Sequence, residues 1–130
     1  GLKVEHSLGW SRKQAGAPEL SPDERANIPE SVQPLVRVHP ATGRKSLYLS
    51  SHGRDVVGMP IEEGRALLAE LTAHATQPEF VYSHHWKQGD LAMGDNRSTM
   101  HRATPFEEGR FKRDMRRTTT GDSVSAREAV

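Results

Sequence analysis

The sequence predicts a mainly β fold, of sandwich or jelly-roll type, with one substantial helix packed outside. Three observations point there. Short alternating stretches recur along the chain, separated by Gly, Pro, Asn and Asp turn signals. Only residues 60–75 carry a sustained apolar stripe of helical period. The apolar content is thin: Leu, Ile, Val and Phe make up 24 of 130 residues, about 18%, below the ~20% at which a chain begins to look disordered. The companion sign of disorder, a large net charge, is missing, because 18 Lys and Arg meet 17 Asp and Glu for a net +1. A thin core at neutral charge suggests strands whose packing partners lie outside these residues.

Residues 1–16 read as the end of a weak helix, with Leu2, Val4 and Leu8 on one face, Trp10 near its edge and Gly16 as the stop. Residues 17–34 read as a polar loop with four prolines, in which Ser21-Pro22-Asp23-Glu24 can start a helical turn. Residues 35–39 and 45–50 read as two strands of a hairpin, joined by the turn Ala41-Thr42-Gly43-Arg44. In the second strand Ser46, Tyr48 and Ser50 face one way, Leu47 and Leu49 the other. The helix 60–75 has Pro60 in its first turn, Glu62 and Glu63 at its positive end, and His74 in its last turn. Its stripe runs Ile61, Leu68, Leu71, Ala75, and Pro78 prevents continuation. Strands are then expected at 80–86, 91–93, 98–103 and 113–119, with a flexible polar tail at 120–130.

Composition excludes several function classes. There is no cysteine, which rules out disulfide scaffolds, thiolate zinc sites and cysteine nucleophiles and suits a cytoplasmic protein. No apolar run approaches the ~18 residues of a membrane span, so no membrane partner is expected. No signal peptide is visible. A balanced charge and few aromatic residues argue against nucleic acid, leaving a basic strand at residues 110–117 as the weak contrary sign. The first residue is Gly1 rather than Met, which fits a chain cut out of a longer one.

The most informative segment runs from Gly89 to Phe106 and contains Asp95-Asn96-Arg97 and His101; a basic run, Lys112-Arg113 to Arg116-Arg117, follows. Together with Val38-His39-Pro40, Lys45-Ser46-Leu47-Tyr48-Leu49-Ser50, Gly58-Met59 and His74 to Phe80, it resembles the C-terminal half of the taurine dioxygenase/chlorophenoxyacetate dioxygenase (TauD/TfdA) family. These are non-haem iron(II), 2-oxoglutarate-dependent oxygenases. The resemblance implies a partial double-stranded β-helix (jelly roll, cupin-like), truncated, with residues 1–130 forming the C-terminal portion of one domain.

The resemblance also implies roles. Such iron sites use two histidines and a carboxylate on one face, leaving the other open. His101 matches the distal histidine of that triad. Arg113, 12 residues later, matches the arginine that grips the distal carboxylate of 2-oxoglutarate, a task suited to a forked, permanently charged guanidinium. Arg117 shares its strand face at even spacing and matches a position that meets the substrate's anionic group. Fe(II), 2-oxoglutarate, O₂ and a small anionic organic substrate are the implied ligands, with succinate and CO₂ formed as the substrate is hydroxylated. His39 and His52 flank the hairpin and read as surface or turn residues; His84 and His85 read as structural. Asp95-Asn96-Arg97 reads as a turn fixed by side-chain to backbone bonds.

Two departures stand against the family pattern. The family's proximal His-x-Asp pair occurs nowhere in these residues, and Gly94 stands where a bulky aromatic is usual. The expectation is therefore a dioxygenase by family whose isolated 130-residue chain is inactive. The alternative is a non-catalytic remnant, a partial jelly roll whose open sheet edges favour a homo-oligomer.

Overall fold

The computed structural model describes residues 1–121. Five short strands, three α-helices and one 3-10 turn make up its regular structure. Strand β1 (Lys3–His6) is the centre of a three-stranded antiparallel sheet, with β2 (Ser31–Pro34) on one side and β5 (Gly53–Val56) on the other. Val4 stands opposite both Gln33 and Val56, and the β1–β5 register shifts between Glu5 and His6. Strands β3 (Val36–Val38) and β4 (Lys45–Leu47) form a separate hairpin, with Arg37 opposite Ser46. Its turn closes with His39 N–H donating to Arg44 O at 2.8 Å and Gly43 N–H to His39 O at 2.8 Å. Gly43 has φ +68° there, a conformation glycine adopts without steric penalty.

The core is small, as the composition implies. Val4, Leu35, Leu49 and Val56 are the buried apolar residues among those described, and Met59, Leu68, Leu71 and Ala75 pack against them. Helix α3 (Ile61–Ala75) lies on β5, and the contact is close because Gly64 has no side chain. A Cβ at that position would meet Val56 Cβ and the Val56 backbone nitrogen at 3.2 Å each. Ile61, at the start of the predicted stripe, is exposed, and Pro60 sits just outside the helix rather than in its first turn.

The N-terminal stretch read as a weak helix divides into β1 and α1 (Leu8–Gln14). Ser7 separates them: its N–H donates to His52 O at 2.9 Å, and its hydroxyl caps the helix by accepting from Trp10 N–H at 3.2 Å. The spacing of Val4 and Leu8 mimics a helical stripe, but Val4 is recruited by its two strand partners. The stretch 17–34, read as a polar loop, holds α2 (Pro22–Asn27) and β2. The helix start foreseen at Ser21 is a full capping box, with Ser21 and Glu24 each bonded to the other's backbone N–H.

The largest difference lies after the 3-10 turn Pro78–Phe80. Strands expected at 80–86, 91–93, 98–103 and 113–119 are absent among the described residues. The side chains that alternate there face water instead: Tyr82 is 85% exposed, Leu91 88% and Met93 93%. A strand exists only through a partner's ladder, and no extended neighbour reaches these residues. Most of the expected tail, 120–130, lies outside the described residues.

Candidate functional site

The three site residues read from the sequence are all exposed and lie in the irregular segment 81–121. Arg113 donates from Nε to Met115 Sδ at 2.9 Å, and its guanidinium lies 5.8 Å from the Phe106 ring centre. No hydrogen bond or ion pair joins His101, Arg113 and Arg117 to one another. Among the described residues no group of three His, Cys, Asp or Glu could hold a metal ion. The donor set of a two-histidine, one-carboxylate iron site is therefore not assembled among the described residues.

What is assembled is the turn that precedes His101. Asp95 Oδ1 accepts from the Arg97 backbone N–H and from Arg97 Nε, both at 2.9 Å, and Oδ2 accepts from Arg97 Nη2 at 2.7 Å. The Asp95 carbonyl accepts from Ser98 N–H at 3.1 Å, Thr99 N–H at 3.0 Å and the Thr99 hydroxyl at 2.8 Å. The local side-chain to backbone bonding expected of Asp95-Asn96-Arg97 is present.

The turn is also joined to the hairpin, which the sequence reading missed. His39 Nε2–H donates to Asp95 Oδ2 at 3.0 Å, and the Ser46 hydroxyl donates to the Arg97 carbonyl at 3.0 Å. His39, read as a surface or turn residue, stands at the hairpin turn but keeps only 12% of its side chain exposed, and its Nδ1 is buried without a hydrogen-bond partner. The Arg97 guanidinium, then the His39 imidazole, then the Arg97 N–H hold the Asp95 carboxyl far below the usual carboxylate range. An open depression of about 330 Å³ lies beside this junction, lined by His39, Thr42, Arg44, Lys45, Ser46 and Ser98. None of His101, Arg113 and Arg117 lines it.

Three further histidines have structural partners. His52 Nδ1 lies 2.7 Å from the Ser11 hydroxyl. His6 Nδ1 lies 3.2 Å from the Ser50 hydroxyl, its Nε2 is buried without a partner, and its ring meets Tyr48 at 5.1 Å. Burial, followed by the charges of Arg37 and His52, lowers the His6 pKa from 6.5. His84 Nε2 lies 3.0 Å from Asp90 Oδ2, and its ring meets Trp86 edge-on at 4.6 Å. That fits the structural role expected of His84. No helix among the described residues is long and apolar enough to cross a membrane.

Comparison with known proteins places this arrangement. The chain is 46% identical over 120 residues to the alpha-ketoglutarate-dependent 2,4-dichlorophenoxyacetate dioxygenase of Burkholderia sp. (strain RASC), covering 92% of this chain and 40% of that protein. A solved structure of a putative alpha-ketoglutarate dependent 2,4-D dioxygenase from Burkholderia xenovorans is 53% identical, with a TM-score of 0.73, covering 75% of this chain and 38% of that one. The structure of AAD-2 in complex with Mn(II) and N-oxalylglycine is 50% identical, with a TM-score of 0.78, covering 83% of this chain and 42% of that one. The chain thus spans about 40% of the length of the relatives it matches. The model of the family described as "Taurine catabolism dioxygenase TauD, TfdA family" matches residues 1–119, nearly the whole of the chain, and the chain belongs to that family.

Proposed function

We propose that this chain is the C-terminal portion of an iron(II)- and 2-oxoglutarate-dependent dioxygenase that hydroxylates a small anionic organic acid, with an aryloxy acid as the first substrate to test. The observation that carries the reading is the family match across residues 1–119, which includes the Asp95-Asn96-Arg97, His101 and Arg113 pattern. The name of the Burkholderia relative supports the aryloxy class. N-oxalylglycine, held in the AAD-2 structure, is an analogue of 2-oxoglutarate and supports the co-substrate. In this reading the complete domain is a jelly roll. His101 supplies one of three iron ligands, Arg113 pairs with the distal carboxylate of 2-oxoglutarate, and Arg117 pairs with the substrate's anion. The remaining ligands come from outside these residues, because the donor set here does not hold iron by itself.

The incomplete donor set also favours a second reading, a non-catalytic portion whose exposed edges associate with other chains. One experiment separates the two. Residues 1–119 are joined to the parts of the Burkholderia dioxygenase that the match leaves uncovered, and succinate release is followed with 2,4-dichlorophenoxyacetate, iron(II) and 2-oxoglutarate. Turnover that requires all three supports the dioxygenase. A folded hybrid without turnover supports the second reading. In an active hybrid Arg113→Ala should raise the KM for 2-oxoglutarate at least tenfold, the effect of losing about 1.4 kcal/mol of binding; an unchanged KM refutes that role.

A further inference from the structure

We propose that His39 and Asp95 are positioning residues: together they clip the turn 95–99 to the β3–β4 hairpin and so set where His101 stands. The inference rests on the dioxygenase reading only for what His101 does once it is placed.

Segment 81–121 is tied down at few points. Beyond Val81, whose N–H donates to Pro78 O at 3.3 Å, the hydrogen bonds from this segment to the rest of the described chain fall on this one turn, from His39 to Asp95 and from Ser46 to Arg97. Thr99 is the last residue bonded within the turn, so a single residue, Met100, separates it from His101. Two chain steps of about 3.5 Å hold the His101 Cα within roughly 7 Å of the Thr99 Cα. Without the clip a single hydroxyl bond, Ser46 to the Arg97 carbonyl, still holds the turn, and upstream of it the next tether is Val81, bonded to Pro78 O. If that bond opens too, twenty chain steps from Val81 allow His101 to wander as far as ~70 Å. A functional side chain must be held within about 0.5 Å of its productive place, so the clip makes the difference between a placed and an unplaced histidine.

Both halves of the clip are suited to that task. The Asp95 carboxylate uses both oxygens on Arg97, and its carbonyl takes four further bonds, from the N–H and hydroxyl of both Ser98 and Thr99, which makes the turn internally rigid. The His39 backbone is fixed by the hairpin turn, through Arg44 O on one side and Thr42 N–H and Gly43 N–H on the other. Its largely buried imidazole has few orientations open to it, and a flat ring nitrogen aimed at a carboxylate oxygen is directional in a way an ammonium is not.

The test uses the 130-residue chain, ¹⁵N-labelled, and reads backbone order parameters by NMR relaxation. In the native sequence residues 98–102 should sit near the rigid value of about 0.85. His39→Ala and Asp95→Ala should drop them below about 0.6, while the amides of Val4 and Val56 stay unchanged. His39→Gln can place a side-chain N–H where Nε2–H now points, and it should restore most of the order. Unchanged order in the alanine variants would overturn the proposal, as would a glutamine variant no better than alanine. If Asp95→Ala also unfolds the sheet, the comparison of His39→Ala with His39→Gln decides alone. No iron enters this measurement. Loosening at residues 98–102 beside an inactive hybrid enzyme would sink the dioxygenase reading and leave the clip standing, and the reverse pattern would sink the clip alone.

Discussion

At the scale of single residues, two side chains with lowered native pKa values lose stability as pH falls, each for a different physical reason. Asp95 is held as a carboxylate by Arg97 and His39, so its pKa in the folded chain lies below that of the unfolded chain. Its contribution to stability is complete above the unfolded value near 3.9, and it is lost as pH falls through the native value. The Arg97 amide shift should therefore stay constant from pH 7 down to about 4 and move only in stronger acid. Movement already complete at pH 4 would show that Arg97 and His39 do not hold the carboxylate. His6 behaves differently because burial, rather than a partner, is the main influence. Burial disfavours the charged imidazolium, so the stability it confers is present above the unfolded value near 6.5 and fades as pH falls through the lowered native one. Thermal unfolding should show the native chain losing stability between pH 7.5 and 5, and His6→Gln losing less over the same interval. Equal losses would mean that His6 does not carry this dependence. His39 shows why some of the site could not be read in advance. Its sequence neighbours are the turn residues of a hairpin, and nothing local distinguishes a solvent-facing histidine from one aimed at a carboxylate 56 positions away.

At the scale of elements, Gly64 sets the distance between α3 and β5. Alanine in a helix interior is favoured over glycine by about 1 kcal/mol. Here the added Cβ would press on the Val56 backbone nitrogen and Cβ at 3.2 Å, and a strand backbone paired to β1 yields little. Overpacking of this kind costs roughly 1–3 kcal/mol, so the contact outweighs the propensity. Gly64→Ala should lower the urea midpoint, with a net loss of about 1 kcal/mol; a higher midpoint would show that the helix shifts outward freely. The legible elements were those whose signal is local. Helix α3 was readable from Leu68, Leu71 and Ala75 on one face, and the hairpin from its two apolar stretches around Thr42-Gly43. Strand β5 was not, because Gly-Arg-Asp-Val carries one apolar residue and is a strand only by pairing with β1. The alternation at 80–86 and 113–119 was real in the sequence, but alternation records which side chains suit burial, and it forms a strand only where a second strand and a covering layer are supplied. The roles proposed for His101 and Arg113 rest on family resemblance alone, since neither spacing nor charge sets them apart from their neighbours.

At the scale of the whole molecule, the thin core and the sparse donor set are the same fact seen twice. The buried cluster around Val4 and Val56 serves the sheet and α3, while the segment bearing His101, Arg113 and Arg117 leaves Leu91, Met93 and Tyr82 to water. The last prediction follows from magnitudes. A 2-oxoglutarate held only by exposed Arg113 makes a surface ion pair worth about 0–1 kcal/mol. Even millimolar affinity needs about 4.1 kcal/mol. Among the described residues no three His, Cys, Asp or Glu are grouped to hold iron(II), where the family's chemistry uses two histidines and a carboxylate. The isolated 130-residue chain, given iron(II) and 2-oxoglutarate under anaerobic conditions, should therefore show none of the weak visible charge-transfer absorption that the two give when bound together. The hybrid carrying residues 1–119 should show it, and His101→Ala in that hybrid should abolish it. A band from the isolated chain would mean that donors outside the three-ligand pattern hold the metal, and the division of the iron site between this segment and the rest of the domain would be wrong.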